Sequence, residues 1–512
     1  MGEAVSKFGK VLVANRGEIA VRVIRALAEE GITSAVIYSE PDRAGLPVLL
    51  ADEAYPIGPA PSRESYLRGD RIVELAREIG ADAVHPGYGF LAENAGFARS
   101  CREAGIRFIG PDGDAIATMG SKTESRRLMR ESGVPVVPGG EDPLPNLERA
   151  RSAAEEIGYP VMLKAAAGGG GKGMRRVDSA EDLPGAFRSA RSEASSSFGN
   201  DAVYVEKYLV RPRHVEIQVL GDGHGTVVSL GERECSLQRR HQKVVEEAPS
   251  PVVDADLRRR MGAAAVRAAE AVGYTNAGTV EFLLDREGEF YFLEMNTRIQ
   301  VEHPVTEMVT GLDLVRAQLH VARGGCIPER FRGVSPRGHA LEVRLYAEDA
   351  SRNFAPAPGR IRHLRWPEGP GVRNDCGVYE GSEVTVHYDP MLGKLIVWGA
   401  DRTQALERLE RALRELRIEG ISTTVPLFRA LLRDQDFLHG HLDIEMLDRK
   451  LREGELEVAG EDSGRDLPFL AAAIAHFRHS RRSVLKGTPS GPLRSSWARR
   501  GRERSLRGSD WS

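Results

Sequence analysis

Cysteine is scarce in this chain, which has 512 residues and only four cysteines, Cys101, Cys235, Cys326 and Cys376. Successive cysteines lie at least 50 residues apart, so neither a C-x-x-C metal site nor a disulfide framework fits the spacing. Isolated cysteines of this kind are typical of a reducing compartment, and we therefore predict a cytoplasmic protein.

Long apolar runs are missing as well. No stretch of about 18 uninterrupted apolar residues occurs, which argues against a transmembrane helix and a membrane partner. The formal charge is −3, from 71 basic and 74 acidic residues, and this balance argues against a nucleic-acid partner. An apolar share of 41% and a charged share of 28% exclude a wholly disordered chain, and the length suits about two to four domains.

The beginning of the chain alternates between strand-like and helical patterns. A short apolar run at 10–14 precedes helically spaced apolar residues at 19–27, and a second apolar run follows at 34–38. This order predicts a doubly wound α/β sheet with parallel strands. The first turn has no G-x-G-x-x-G sequence, so a dinucleotide-binding fold is not supported.

Composition also divides the rest of the chain. Proline and glycine are frequent at 134–145, which predicts a boundary, and a helix is predicted at 404–416. A short amphipathic helix is predicted at 467–477. Residues 478–512 contain ten basic and two acidic residues, which predicts a disordered tail, with docking to an acidic partner as the alternative.

A run of four glycines, Gly168–Gly171, is flanked by Lys164 and Lys172. Successive glycines let backbone N–H groups approach a phosphate without interference from side chains, and the lysines add positive charge. No Ser or Thr follows the second lysine, so the segment is not a P-loop. A flexible surface hairpin is the alternative interpretation.

Two β-prone runs on either side of Glu287-Gly288 predict a tight hairpin. If these two residues form the loop, Glu281 lies opposite Glu294, and Leu283 lies opposite Phe292. Like charges in opposed positions destabilise a sheet, and burial beside apolar side chains increases the cost.

A divalent cation between Glu281 and Glu294 would remove that repulsion. Asn296 lies two residues further on the same face and would add an amide oxygen, so the predicted ion is Mg²⁺ shared with nucleotide phosphates. The alternative is a slipped register that leaves one glutamate in solvent.

If the same strand continues beyond the hairpin, Arg298, Gln300 and Glu302 stay on the face of Glu294. A cation, an amide and a carboxylate beside a metal suit an oxyanion such as bicarbonate, with Glu302 as general base. The basic segment 236–243 would by itself more often be a solvated face.

Together these segments resemble the biotin carboxylase family of the ATP-grasp fold. The resemblance covers about residues 8 to 450, with its motifs in the family's order. The motifs lie at 14–20, 85–94, 164–174, 212–218, 238–249, 294–305, 342–344 and 388–394.

The resemblance implies ATP, Mg²⁺ or Mn²⁺, bicarbonate and carrier-bound biotin as ligands. The residues implied at ATP are Lys122, Lys164, Gly168, Gly169, Gly170, Gly171, Glu206, Lys207, Leu209, His214, Gln238 and His241. Those implied at the metal are Glu281, Glu294 and Asn296. Those implied at bicarbonate are Lys243, Arg298, Gln300, Val301 and Glu302. Those implied at biotin are Tyr88 and Arg344.

The implied reaction begins when Glu302 deprotonates bicarbonate, which then attacks the γ-phosphate of ATP to form carboxyphosphate. Lys243 and Arg298 complete the catalytic set, and Arg344 stabilises the biotin enolate. The implied domains are an N-terminal domain (1–118), an ATP-grasp domain (119–345) with a lid at about 136–207, a mixed or antiparallel C-terminal domain (346–450), and a basic tail (451–512).

No Met-Lys-Met sequence is present, so the biotin carrier and the carboxyltransferase are expected on other chains. The resemblance also implies a homodimer and an acetyl- or propionyl-CoA carboxylase of fatty acid biosynthesis. Another ATP-grasp ligase, of the carbamoyl-phosphate or carboxylate–amine type, is the first alternative. A catalytically inactive regulatory subunit is the second.

Overall fold

The computed structural model describes residues 7–140, 143–165, 174–198, 201–458 and 471–478. The chain divides into two compact units, Met1–Ala459 and Gly460–Ser512. In the second unit, residues 471–478 are helical with exposed side chains, which confirms that part of the predicted helix. Of the predicted basic tail (451–512), residues 451–458 belong to the first unit, and residues 459–470 and 479–512 lie outside the described residues. The glycine run at 168–171 lies outside them as well.

The N-terminal part forms a five-stranded sheet in the order β3-β2-β1-β4-β5. Every pairing in it is parallel, as the alternation of apolar runs predicts. Its elements are β1 (Lys10–Val13), α1 (Gly17–Glu29), β2 (Thr33–Ser39), α2 (Leu46–Leu50), β3 (Glu53–Gly58), α3 (Gly69–Glu78), β4 (Ala83–His85), α4 (Ala95–Glu103), β5 (Arg107–Phe108) and α5 (Gly113–Gly120).

A small antiparallel sheet, in the order β7-β6-β8, follows with its own apolar core. It lies in the segment for which the sequence predicts a lid. Helix α6 (Lys122–Glu131) precedes this segment, which itself contains α7 (Leu147–Ile157), β6 (Val161–Ala165), β7 (Met174–Val177), α8 (Leu183–Phe198) and β8 (Val203–Lys207).

The largest sheet begins with elements of the central part of the chain. These are β9 (Arg213–Gly221), β10 (Val227–Arg239), β11 (Gln242–Ala248), α9 (Ala255–Ala271), β12 (Asn276–Leu284), β13 (Phe290–Asn296), α10 (His303–Thr310), α11 (Leu314–Ala322) and β14 (His339–Tyr346).

The C-terminal part supplies the remaining strands and a layer of helices. It contains β15 (Glu348–Asp349), β16 (Ala355–Pro356), β17 (Gly359–Arg360), β18 (His363–Arg365), β19 (Val372–Cys376), β20 (Glu383–Val384), β21 (Met391–Gly399), α12 (Arg402–Glu415), β22 (Arg417–Glu419), α13 (Val425–Leu431), α14 (Gln435–His439) and α15 (Met446–Glu453).

The large sheet has eight antiparallel strands in the order β13-β12-β9-β10-β11-β14-β21-β19. It therefore runs without a break from the central part into the C-terminal part. Helix α12, predicted at 404–416, packs on β21 and β14 through an apolar face. Among the described residues, no helix is both long enough and apolar enough to cross a bilayer.

The β12–β13 hairpin confirms one predicted pairing and corrects another. Glu281 lies opposite Glu294 as predicted, but Phe292 lies opposite Phe282 rather than Leu283. The strands end at Leu284 and Phe290, so the connection is longer than the predicted two residues. An irregularity between Glu281 and Phe282 restores the register at the glutamates because a bulge adds one residue to one strand.

Candidate active site

Twelve of the predicted site residues line one cleft of about 530 Å³ beside the large sheet. Strands β9 to β14, together with the segment between β13 and α10, supply them. They are His214, Gln238, His241, Lys243, Glu281, Glu294, Asn296, Arg298, Gln300, Val301, Glu302 and Arg344.

Lys243 lies at the centre of the acidic part of this cleft. Its Nζ donates to Glu216 at 2.6 Å, to Glu281 at 2.8 Å and to Glu302 at 2.7 Å. Burial lowers the pKa of Lys243, but the three glutamates outweigh burial and raise it well above its ordinary value. The lysine is therefore a fixed cation that holds three carboxylates together.

Glu216 is a functional candidate that the sequence reasoning missed. It lies on β9 directly opposite Glu281 and is fully buried. His214, Glu216 and Glu281 each offer one ligand atom within 4.8 Å of the others. The alternation of His214, Glu216 and Gln218 along one face of a buried strand is the signal that could have identified it.

Arg233 was also missed, and its side chain is completely buried. Its guanidinium donates to Glu216 at 2.5 Å, to Gln218 at 2.7 Å and to Gln300 at 2.6 Å. Arg233 thus neutralises the charge of Glu216. It also orients the side-chain amide of Gln300, whose Nε2 atom donates to Glu281 at 2.8 Å.

Arg298, Gln300 and Glu302 do not lie on a continued strand, which corrects the sequence prediction for all three. Strand β13 ends at Asn296, and Glu302 precedes the first residue of α10. Arg344 Nη2 donates to Glu302 at 2.9 Å. Burial raises the pKa of Glu302, but Lys243 and Arg344 outweigh burial and hold it well below its ordinary range.

Arg298 connects the metal candidates with the N-terminal part. Its Nε donates to Glu93 at 2.8 Å, and its Nη2 donates to the Oδ1 atom of Asn296 at 2.9 Å. The Nδ2 atom of Asn296 in turn donates to Glu281 at 2.8 Å. The Asn296 amide is therefore held between the guanidinium of Arg298 and the carboxylate of Glu281.

The predicted nucleotide residues are only partly brought together. His214 Nε2 lies 3.0 Å from Glu281, and Gln238 Nε2 lies 3.0 Å from His214 Nδ1. Lys164 forms an ion pair with Glu206, outside the residues that line the cleft.

Three other predicted residues also lie outside the residues that line the cleft. Lys207 donates to the carbonyl groups of Gly158 and Tyr159 at 2.8 and 3.2 Å. Lys122, exposed at the start of α6, and half-buried Leu209 are the other two.

Tyr88, predicted at biotin, is placed by the N-terminal part. Its hydroxyl donates to the Oε1 atom of Glu18 on α1. Burial, followed by the charge of Glu18, raises the pKa of Tyr88 well above its ordinary value. Tyr88 is therefore a fixed neutral donor. It is not among the residues that line the cleft, although the charge of Arg344, which does line it, acts on Tyr88.

Three family models match almost the whole first unit. Residues 7–116 match the biotin carboxylase N-terminal domain, and residues 342–449 match the biotin carboxylase C-terminal domain. Residues 121–330 match the ATP-binding domain of the carbamoyl-phosphate synthase L chain.

Two known proteins are similar to this chain over most of its length. The chain is 51% identical over 491 residues to a pyruvate carboxylase subunit of Methanothermobacter thermautotrophicus, covering 93% of this chain and 100% of the relative. It is 52% identical over 436 residues to biotin carboxylase of Nostoc sp., covering 85% and 98%.

A solved structure of the Hydrogenobacter thermophilus 2-oxoglutarate carboxylase biotin carboxylase domain is also similar. That structure is a dimer in complex with MgADP, ADP and bicarbonate. It shares 47% identity with a TM-score of 0.77, covering 87% of this chain and 98% of that chain.

Proposed function

Because the chain belongs to the biotin carboxylase family of ATP-dependent ligases, we propose that it carboxylates biotin on a separate carrier chain, using MgATP and bicarbonate. The observation that carries this proposal is the position of Glu302 between Lys243 and Arg344. An anionic substrate can bind a cation that has been paired with a carboxylate. The carboxylate is then free to accept a proton from that substrate.

We assign the metal site to Glu281 and Glu294, with Asn296 supplying an amide oxygen. Oxygen donors of this kind suit Mg²⁺, and Mn²⁺ is compatible with the same set. The opposed glutamates and the clustered ligand atoms of His214, Glu216 and Glu281 support the assignment. When bound, the ion would neutralise negative charge on the phosphate groups of ATP.

Bicarbonate would lie between Lys243 and Arg298, with the Gln300 side chain and the Val301 amide as further donors. Its arrival replaces the contact between Lys243 and Glu302, so the pKa of Glu302 rises toward the range of a usable base. Glu302 then removes the hydroxyl proton, and the resulting oxyanion attacks the γ-phosphorus while ADP leaves.

The product of that step is carboxyphosphate, which breaks down to CO₂ and phosphate. That phosphate would take the N–H proton of the biotin ureido ring, and Arg344, facing the ureido oxygen, would stabilise the resulting enolate as its nitrogen attacks CO₂, while Tyr88 lines the biotin side. The buried ion pair of Arg344 with Glu246, at 2.5 Å, supports this role because it holds the guanidinium in place.

For ATP we assign the phosphate groups to Lys122, Lys164, His214, His241 and the glycines 168–171, and the adenine end to Glu206, Lys207, Leu209 and Gln238. The three-stranded sheet β7-β6-β8 would act as the lid over the nucleotide. We also propose the domain division 1–118, 119–345, 346–450 and 451–512. The ranges of the three family models support the order of these domains, but each boundary falls inside an element, because α5 runs to Gly120, β14 to Tyr346 and α15 to Glu453.

The final acceptor is proposed to be an acyl-CoA, acetyl- or propionyl-CoA, in fatty acid biosynthesis, through a carboxyltransferase on another chain. Similarity to a pyruvate carboxylase subunit makes pyruvate the second candidate. We further propose a homodimer in the cytoplasm, and the dimer of the 2-oxoglutarate carboxylase domain supports the homodimer.

Phosphate release from MgATP by the purified chain, with and without bicarbonate and free biotin, tests the reaction. We expect release that requires bicarbonate and increases with biotin. Release that is indifferent to both would refute the carboxylase and favour another ATP-grasp ligase, for which amines and amino acids are the next co-substrates. No release in the presence of all three substrates would favour an inactive subunit.

A further inference from the structure

A buried lysine joins three segments of the chain behind the cleft. Lys394, on β21, is completely inaccessible to solvent. Its Nζ donates to the carbonyl oxygen of Val301 at 2.7 Å and lies 3.1 Å from the Oε1 atom of Glu18. Three parts of the chain that are distant in sequence, around residues 18, 301 and 394, thus meet at one ammonium group.

The Val301 carbonyl belongs to the peptide group that connects Val301 to Glu302. A peptide group is planar, so a bond that holds its oxygen also fixes the direction in which the Cα atom of Glu302 leaves. This connection lies in a turn between β13 and α10 rather than within a ladder of strand hydrogen bonds. Lys394 therefore replaces the constraint that a regular element would supply.

Glu18 extends the same network to the biotin side of the cleft. Its Oε1 atom accepts from the Tyr88 hydroxyl as well as lying near Lys394. Asp375, whose Oδ2 lies 3.9 Å from Lys394, is held in turn by the guanidinium of Arg373. The buried carboxyl group of Glu342 on β14 also acts on Lys394 through its charge. The ammonium group thus lies among three carboxyl groups and one carbonyl, which restricts where it can lie.

We propose that Lys394 is a positioning residue, which holds the Val301–Glu302 peptide in the orientation needed for bicarbonate binding and deprotonation. The carboxylate of Glu18 contacts both this lysine and Tyr88. The Lys394–Glu18 pair therefore aligns the bicarbonate side of the cleft with the biotin side. The inference rests on the proposed function, because it assigns a purpose to the Val301–Glu302 segment only if that segment binds bicarbonate.

The first test is Lys394→Met, which keeps most of the side-chain length and removes the ammonium group. We expect the KM for bicarbonate to rise about ten-fold and kcat for bicarbonate-dependent ATP cleavage to fall about ten- to hundred-fold. The KM for MgATP is expected to change by less than about two-fold, because Lys394 does not face the nucleotide residues.

Lys450→Met is the matched control. Lys450 is also buried, and it pairs with Asp434 at 2.7 Å and Asp436 at 2.6 Å in the C-terminal helices. Its loss should lower the thermal midpoint but leave the KM for bicarbonate unchanged. If both variants change the kinetic constants alike, Lys394 is only structural and the proposal is wrong.

Lys394→Met leaves Glu18 buried without its cation, so that variant could lose too much stability to assay. The double variant Lys394→Met/Glu18→Gln removes both charges, and the amide oxygen introduced at position 18 can still accept from Tyr88. We expect it to regain part of the thermal midpoint but to keep the raised KM for bicarbonate. Recovery of the wild-type KM together with the midpoint would overturn the proposal.

The wild-type protein separates this inference from the proposed function. If its ATP cleavage does not depend on bicarbonate, the carboxylase proposal fails whatever the variants do. If wild-type cleavage does depend on bicarbonate and the double variant binds it normally, only the positioning role of Lys394 fails.

Discussion

Glu302 shows how charge balance at single residues prepares this cleft for an anion. Lys243 forms ion pairs with Glu216, Glu281 and Glu302 simultaneously. Arg344 forms a second ion pair with Glu302. In this arrangement the ordinary basicity of Glu302 is suppressed. In the proposed reaction, a bound anion that contacts Lys243 would restore this basicity, which would confine proton removal to the occupied site.

Replacement of Glu302 by Gln tests this balance directly. Glu302→Gln keeps the shape and an acceptor oxygen but cannot accept the proton of bicarbonate. We expect bicarbonate-dependent phosphate release to fall by at least about a hundred-fold, with ATP affinity within about three-fold of wild type. Phosphate release and nucleotide titration by fluorescence measure the two effects, and unchanged release would exclude Glu302 as the base.

Arg344→Ala separates the two halves of the reaction. Its guanidinium contacts Glu246 and Glu302, but its proposed charge partner during turnover is the biotin enolate. Biotin carboxylation should therefore fall about ten-fold more than bicarbonate-dependent ATP hydrolysis. Product formation with ¹⁴C-bicarbonate, compared with phosphate release, measures this ratio. Equal loss of both activities would count against the assignment.

At the scale of the element, the β12–β13 hairpin brings the two metal candidates together. Alternation along both strands predicted that Glu281 faces Glu294, and the structure confirms it. The predicted pairing of Leu283 with Phe292 was wrong because the longer connection shifts the register by one residue. The bulge between Glu281 and Phe282 shifts it back, so Glu281 still faces Glu294. Alternation alone cannot reveal a bulge, because a bulge interrupts the regular alternation of side chains.

Glu294→Gln should weaken metal use while leaving the hairpin folded. Glu294 is exposed on the cleft, so the variant removes one charged ligand at little cost in stability. We expect the Mg²⁺ concentration for half-maximal activity to rise about ten-fold.

The matched control is Glu289→Gln on the same hairpin, where the exposed Glu289 pairs with Arg260. Its Mg²⁺ dependence should equal that of the wild type when ATP cleavage is measured against added Mg²⁺. A shift of the same size in both variants would exclude Glu294 as a specific ligand.

At the scale of the whole molecule, burial of neutral histidines makes the first unit sensitive to acid. His85, at the end of β4, and His303, at the start of α10, are both fully inaccessible to solvent. Burial lowers the pKa of His85 to about 4, and burial followed by the charge of Lys394 lowers that of His303 well below 6.5. Both are therefore neutral in the folded protein near neutral pH.

As the pH falls, these histidines become protonated near pH 6.5 in the unfolded chain but only at lower pH in the folded protein. Stability from this source is complete above about pH 6.5 and is lost as the pH falls toward about 4. His85→Asn removes one of the two groups and keeps an acceptor for the Gly87 amide, which donates to His85 Nδ1 at 3.0 Å.

The variant should therefore lose less stability than wild type between about pH 7 and about pH 4.5, by about 2–3 kcal/mol. Thermal midpoints at the two pH values measure this difference. His387→Asn, at an exposed histidine between β20 and β21, is the control and should follow the wild type. If His85→Asn does so as well, His85 does not carry the acid sensitivity.

The sequence by itself determined the parallel N-terminal sheet and the opposed glutamates of the hairpin. Both follow from apolar periodicity and short connections, which are local properties that a single chain displays directly. Strand alternation also pointed to the candidate site residues between 281 and 302, and the resemblance of ordered motifs added Arg344, all without any coordinates.

Only the tertiary structure decided which charges meet. Glu216, Arg233 and Lys394 lie on three different strands, and each is identified only by the partners that the fold places beside it. A buried charge requires a partner because its desolvation must be offset, but sequence does not state which partner that is. The large antiparallel sheet supplies these partners by bringing strands from the central and C-terminal parts together behind one cleft.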